Sequence, residues 1–405
     1  MKALGPIPAG FEADNEGRLL IGGRTAEALV AEAGGTPLFV YDAQRIAGQV
    51  ARFRSAFPTV ALHYAVKANP YGPLLEAMAA MVDGFDVASA GELGRVAHLG
   101  LPISFAGPGK RDQELETAIR AGITINLESE GEAMRALRVA PRRGPNLKFA
   151  VRVNPPFGLK GSGQKMGGLP SQFGVDHDQA AGIICENIAM GAEWRGLHIF
   201  TGSQALSADA LIELQRETVA LAASIAEEVG APPPHVNLGG GFGIPYFAKD
   251  QPLDIEAVGA ALAKALAERP KILSDTKFAI ELGRWLVGEA GVYLTRVIDR
   301  KVSRGKTFIV TDGGLQHQLA ASGNFGQLLR RNYPVAIAGR YGAEPDEEVT
   351  ITGCLCTPLD LLADEAMLPR AEVGDLVAIF CAGAYGLSAS PQEFLSQPRA
   401  REILV

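Results

Sequence analysis

A (β/α)8 barrel of the TIM type, followed by a mainly antiparallel β domain, is the fold this sequence predicts. Between about residues 36 and 290, short apolar runs alternate with segments whose apolar residues recur at three- and four-residue steps. The alternation returns about every 30 residues, roughly eight times, as a ring of parallel strands with covering helices requires. After residue 290 the helical periodicity stops, and runs rich in Val, Ile and Thr follow one another across loops.

In order, the first-domain strand candidates are Pro37–Tyr41, Ala61–Val66, Gly84–Ala88, Ile103–Ala106, Thr124–Leu127, Lys148–Val153, Trp194–Ile199, His235–Leu238 and Phe278–Glu281. Each is short and apolar, as suits a strand covered on both faces. Between them, Pro73–Met81, Gly91–Leu99, Gln113–Ala121, Gly131–Val139, Ser207–Val229 and Ile255–Glu268 carry amphipathic-helix spacing. Gly291–Val302, Thr307–Thr311, Val335–Ala338, Val349–Gly353 and Asp375–Phe380 read as strands of the second domain, and a short strand at Leu19–Ile21 joins them. The expected division is a barrel over 36–290 and a β domain from 1–35 with 291–405. The glycine-rich run Lys160–Gly168 lies inside the barrel region and is expected to be a mobile active-site loop.

At 405 residues, 47% hydrophobic and 20% charged, the chain is long enough for two cores. It contains no apolar stretch of membrane-spanning length and no basic-then-apolar leader, so a cytoplasmic protein is expected. A net charge of −7 argues against nucleic acid or an anionic membrane as partner. The cysteines, Cys185, Cys354, Cys356 and Cys381, form no CxxC pair and no metal-ligand spacing with the histidines, which predicts reduced thiols and no metal.

Lys67, in His63-Tyr64-Ala65-Val66-Lys67-Ala68-Asn69-Pro70, is a lone cation at the end of an apolar strand. Barrel chemistry collects at such ends, and a desolvated lysine is the residue that bonds a carbonyl carbon. A lysine that snorkels past a strand end is the commoner fate. His198 and Phe200 stand two apart on another strand, ahead of Gly202-Ser203-Gln204. Gly239-Gly240-Gly241-Phe242-Gly243 ends a further strand in a run suited to wrap a phosphate or to make a tight turn. Glu281-Leu282-Gly283-Arg284 places a carboxylate and a guanidinium at the last strand end, for two ligand groups or for a mutual ion pair. Taken together, a carbonyl-binding lysine, an aromatic platform, a phosphate cradle and a carboxylate suit pyridoxal 5′-phosphate, an electron sink for amino-acid chemistry.

With these motifs the chain resembles the fold-type III pyridoxal-dependent decarboxylases, the diaminopimelate and ornithine decarboxylase group, over nearly its whole length. Their two-domain plan is shared with alanine racemases. Ala65-Val66-Lys67-Ala68-Asn69 is similar to the cofactor-lysine motif, and Gly84-Phe85-Asp86-Val87-Ala88-Ser89 to a stretch whose aspartate lies near that lysine. The resemblance implies that Arg152 neighbours the cofactor's phenolic oxygen, that Ser203, Gly239, Gly240, Gly241 and Arg284 hold its phosphate, and that Glu281 partners its ring nitrogen. It also implies a homodimer in which Cys356 reaches the partner's site and Tyr385, in Gly383-Ala384-Tyr385, lines cofactor and substrate. Lys67, Glu281 and Cys356 are then the catalytic candidates. Racemases of this plan place arginine at the ring nitrogen, so Glu281 points to decarboxylation. The chain also resembles the subgroup associated with exosortase A systems and decarboxylases acting on a glutamyl group held by a carrier protein.

Three departures from the family pattern bear on the substrate. The histidine usually found two residues before Gly-Ser is Phe200 here, which leaves the ring-stacking role open between Phe200 and His198. The acid expected directly after the cysteine is Thr357, and a second acid expected after Tyr333 is Pro334. Without these carboxylates a distal ammonium lacks its charge partners. Arg330-Arg331-Asn332-Tyr333 is basic, either as a solvated pair or for an anionic distal group. The expectation is a decarboxylase of a free or carrier-linked amino-acyl substrate with a non-basic distal end, bound near Arg284, Arg330, Arg331, Tyr333, Thr357 and Tyr385. The alternatives are diaminopimelate decarboxylase proper and a non-catalytic homologue acting by protein binding.

Overall fold

The computed structural model describes residues 1–141, 146–158, 164–165, 167–327 and 329–405. The chain divides into two compact units, Val50–Gly243 with Pro252–Gly283, and Met1–Gln49 with Ile244–Gln251 and Arg284–Val405. The loop expected at Lys160–Gly168 falls largely outside the described residues.

In the first unit eight parallel strands close into a barrel. In chain order they are Ala61–Ala65, Gly84–Val87, Ile103–Phe105, Thr124–Leu127, Lys148–Asn154, Glu193–Ile199, His235–Gly240 and Lys277–Leu282. Closure comes from the pairing of the eighth strand with the first, Glu281 beside His63 and Leu282 beside Tyr64. Leu62, Tyr64, Phe85, Phe105, Ile125, Phe149 and Val151 are fully buried, which explains why these strands read as apolar runs. The helices begin where the sequence offers a cap. The hydroxyls of Ser89, Ser129 and Ser207 and the carboxylate of Asp254 accept backbone N–H groups at the starts of Ala90–Val96, Glu130–Val139, Ala208–Val229 and Ile255–Ala267. The helix His177–Ala189, not anticipated above, buries Ala180, Ile183 and Ile184.

The run Pro37–Tyr41 is a correction. It forms a strand, Leu38–Tyr41, but pairs antiparallel with Gly291–Ser303 and parallel with Arg401–Leu404 in the second unit. An all-apolar tetrad suits a central strand of either sheet, so the pattern could not choose between them. The second unit is mainly antiparallel, with Gly291–Ser303 paired to Lys306–Thr311, Leu376–Ile379 and Leu38–Tyr41. Lys306–Thr311 and Glu347–Thr352 pair in parallel, and Leu361–Leu368, also unanticipated, extends the sheet. Leu19, Ile21, Leu29, Val40, Val292, Leu294 and Phe380 form its core.

Phe57 is 2% exposed, stacks on Phe53 at 4.8 Å between ring centroids and lies 6.0 Å from Phe242. Phe57→Ala is expected to destabilise the barrel by about 3–5 kcal/mol, read as a lowered urea midpoint. An unchanged midpoint would contradict this packing.

Candidate active site

The first barrel strand ends at Ala65, and a single 3-10 turn, Val66–Ala68, carries Lys67 at its centre. Val66 and Ala68 are buried, which anchors the turn and leaves the Lys67 side chain 47% exposed. The Tyr64 hydroxyl donates to the Asn69 carbonyl at 3.0 Å and fixes the chain that follows. Lys67 Nζ lies 3.6 Å from the Glu281 carboxylate and 5.4 Å from the centre of the Phe200 ring.

Glu281, 6% exposed, sits near the end of the eighth strand. One oxygen faces Lys67 and the other lies 3.1 Å from His198 Nε2. Burial alone would raise this carboxyl's pKa. The Lys67 charge, the His198 hydrogen bond and the more distant Arg152 outweigh burial and hold it well below the usual carboxylate range. His198 is 2% exposed and in register with Arg152 and Asn237 on the flanking strands. Its ring is 6.5 Å from that of Phe200, which is only partly buried. The two aromatics therefore differ: His198 braces Glu281, and Phe200 stands beside Lys67.

The glycine run follows the seventh strand. Gly239 and Gly241 have φ of +70° and +79°. A Cβ on Gly240 would fall 1.8 Å from the Glu281 carbonyl oxygen, and one on Gly241 2.2 Å from that of Gly202. The loop thus packs its bare backbone against the Glu281 strand end and against Gly202–Ser203, which only glycine permits. Ser203 is partly exposed beside it.

Arg152 belongs to a buried charge network that motif reading did not find. Its Nη1 donates to Glu128 at 3.0 Å, and Glu128 also accepts the backbone N–H groups of Gly107 and Gly174. Glu132 accepts from the Glu128 N–H at 2.8 Å and from Lys110 Nζ at 2.7 Å. Lys110 Nζ donates further to the carbonyls of Gly107 and Asn126. The Ser129-x-x-Glu132 spacing signals a helix cap, but not that Glu132 also neutralises a buried lysine. Asp86, 5% exposed, has His63 Nδ1 at 3.4 Å.

In the second unit Arg284 Nη1 donates to the Tyr246 hydroxyl at 2.8 Å, and its guanidinium lies 4.7 Å from the centre of the Tyr385 ring. Tyr385 has φ +53°. Burial pushes the Tyr246 phenol up to about 12, so it stays a donor-acceptor at any working pH. Tyr333 is buried against Tyr246 at 4.8 Å. Cys356 is exposed, and Thr357 is partly so. Asp360, the nearest acid in that loop, is 2% exposed and accepts the N–H groups of Leu315 and Leu355 at 2.7 and 2.9 Å. The Arg330 guanidinium is bound to the carbonyls of Ser322 and Leu361, while exposed Arg331 lies 3.6 Å over the Phe247 ring. The expected arginine pair therefore splits, with Arg330 holding its own unit together and Arg331 facing outward.

Residues 43–288 match the model of the pyridoxal-dependent decarboxylases, pyridoxal binding domain. The chain belongs to the pyridoxal-dependent decarboxylases. It is 38% identical to the L-glutamyl-(BtrI acyl-carrier protein) decarboxylase of Niallia circulans, over 91% of this chain and 88% of that one. It is 32% identical to the diaminopimelate decarboxylase of Archaeoglobus fulgidus, over 96% and 92%. The crystal structure of diaminopimelate decarboxylase from M. jannaschi superposes with a TM-score of 0.86 at 27% identity, covering 97% of this chain and 92% of that one. This decarboxylase is thus a pyridoxal phosphate-dependent carboxy-lyase.

The barrel residues fit that cofactor. An exposed-tipped lysine, a buried carboxylate kept ionised and a partly open aromatic ring converge at one end of the barrel. Beside them, a backbone cradle excludes side chains. Among the described residues no cluster of His, Cys, Asp or Glu is placed to hold a metal ion.

Glu128→Ala leaves Arg152 buried without its carboxylate and is expected to destabilise this decarboxylase by about 3–5 kcal/mol. The exposed pair Arg52–Glu256 is the control, and Arg52→Ala is expected to lose less than about 1 kcal/mol. Equal shifts in denaturation midpoint for the two variants would refute the distinction.

Proposed function

We propose that this decarboxylase acts on an amino acid or a carrier- or pantetheine-linked amino-acyl group whose distal end is not basic. The observation that carries the reading is the state of the acids around Cys356. Thr357 stands where a substrate-binding carboxylate is expected, and Asp360 is buried with both oxygens on backbone N–H groups. A distal ammonium would find no free carboxylate in that loop. Arg331, held flat on Phe247, offers an outward cation for a carboxylate or phosphate instead. The relative that acts on a carrier-bound glutamyl group supports the same direction. Diaminopimelate as substrate, favoured by the other relatives, is the second reading.

Bound pyridoxal phosphate supplies the electron sink for the bond pair left when CO2 departs. We infer that Lys67 would hold the cofactor's aldehyde carbon and would carry a proton at Nζ for the reacting carbon. Glu281, ionised and braced by His198, keeps a proton on the ring nitrogen. Phe200 would offer a platform for the ring, and Ser203, the Gly239–Gly241 backbone and Arg284 would hold the phosphate. Arg152, steadied by Glu128, and Asp86 complete the barrel's share. In a homodimer, exposed Cys356 serves the partner copy, and Tyr385 lines the substrate.

The purified holoenzyme is expected to absorb near ~420 nm, a band that Lys67→Ala abolishes. CO2 release from glutamate or glutamyl-pantetheine but not from diaminopimelate, ornithine or lysine is the expected pattern; turnover of diaminopimelate overturns the substrate reading. Arg331→Ala is expected to raise KM about tenfold with kcat little changed, as loss of uniform binding does. Mixing inactive Lys67→Ala and Cys356→Ala dimers is expected to restore activity through hybrids. Failure to do so, with subunit exchange verified, removes Cys356 from the shared site.

A further inference from the structure

The barrel is not filled at its N-terminal end. All eight strands or the residues just before them line a cavity of about 250 Å³ there. Ala61, Ala150 and Ala279 leave the space, the wall is mainly apolar with Asn237 and Ser104 among its polar members, and His63 reaches into it from the first strand. His235 and Lys277, at the first positions of their strands, are exposed, so the cavity meets solvent. The His63 side chain is 21% exposed although it lies inside a closed barrel. Its other edge points at Asp86, with Nδ1 3.4 Å from the carboxylate. Among the described residues Asp86 is buried with neither oxygen accepting a hydrogen bond. His63 pairs in register with Gly84, and a Cβ on Gly84 would press to 3.1 Å from the imidazole. Asp86 pairs with Ala65, two residues before Lys67, and so lies on the Lys67 side of His63.

We propose that His63 carries protons from solvent in this cavity to Asp86, a proton entrance at the opposite end of the barrel from Lys67. Decarboxylation consumes one proton per turnover, R–CO2⁻ + H⁺ giving R–H and CO2. His63 Nε2 takes a proton from a solvent acid in the cavity, and the Nδ1 proton passes to the Asp86 carboxylate. The ring is left neutral with its proton on Nε2 and resets by turning in the open cavity. Asp86 then passes its proton to the neutral amine of Lys67, which has given its own proton to the substrate carbon as the new C–H bond forms; the inference rests on the reading of Lys67 given above. The groups facing His63 suit this role. Burial disfavours its charged form, but Asp86, then Glu281 and Asp83, outweigh burial and hold the imidazole above its ordinary pKa. His235, at the mouth on the seventh strand, is pushed down by burial and by Arg195 and Lys277, and so does not compete for the proton.

The test uses His63→Ala and His63→Gln holoenzymes. Both are expected to keep the cofactor absorbance and KM while kcat falls about 10–100-fold, the scale of a lost proton-transfer group. Wild-type kcat is expected to fall as pH rises through the His63 pKa, because only the imidazolium donates, and this limb is expected to vanish in the variants. Exogenous imidazole, small enough for the cavity, is expected to restore His63→Ala. In NMR spectra of the full chain, the imidazole signal missing from His63→Gln is expected to titrate above the range of a free imidazole. A kcat within about twofold of wild type, a loss that imidazole leaves untouched while the cofactor band persists, or a His63 signal that does not titrate each overturns the proposal. Failure of the Lys67 reading is distinguishable, since it appears as a cofactor band that survives Lys67→Ala.

Discussion

A carboxylate kept ionised inside a barrel is the constraint on which the rest of this site depends. Burying Glu281 as a lone anion would cost several kcal/mol, so it exists only because cations and donors converge on it. Lys67 reaches one oxygen from the turn after the first strand, and His198 reaches the other from the sixth. The Lys67 contact runs across the pairing of the eighth strand with the first, and the His198 contact across the seventh strand. Glu281 meets Lys67 across the same strand pairing that completes the ring.

The same logic extends around the barrel. Arg152 is matched by Glu128, and Lys110 by Glu132, with backbone groups taking the remaining valences. A buried network of this kind is stable only when every member is satisfied, and it holds side chains to a single geometry. The Asp86–His63 pair is held more loosely: it lies at 3.4 Å, among the described residues its carboxylate oxygens accept no hydrogen bond, and it borders the barrel's void. A loosely held pair beside a solvent cavity can change protonation with less disruption than one locked in a network.

The second unit treats its charges differently. Asp360 is consumed by backbone N–H groups and Arg330 by backbone carbonyls, so both serve the fold of that unit. Cys356 is exposed and Thr357 partly so, and the exposed Arg331 guanidinium lies over Phe247.

Local pattern determined most of the barrel: short apolar runs alternating with helical spacing located its eight strands, and single residues such as Lys67 and Glu281 stood out because charge at a strand end is unusual. The chemistry class was legible for the same reason, since lysine, glycine run and carboxylate are each marked in the chain. Only tertiary structure decided the sheet to which Leu38–Tyr41 belongs, because an apolar tetrad carries no record of its partner. It alone separated Arg330 from Arg331, and His198 from Phe200, neighbours with the same residue chemistry or the same strand face. Glu128, Lys110 and His63 were illegible because their roles are relations between strands tens of residues apart. Type and spacing are local, whereas pairing of buried charge is fixed only once the ring has closed.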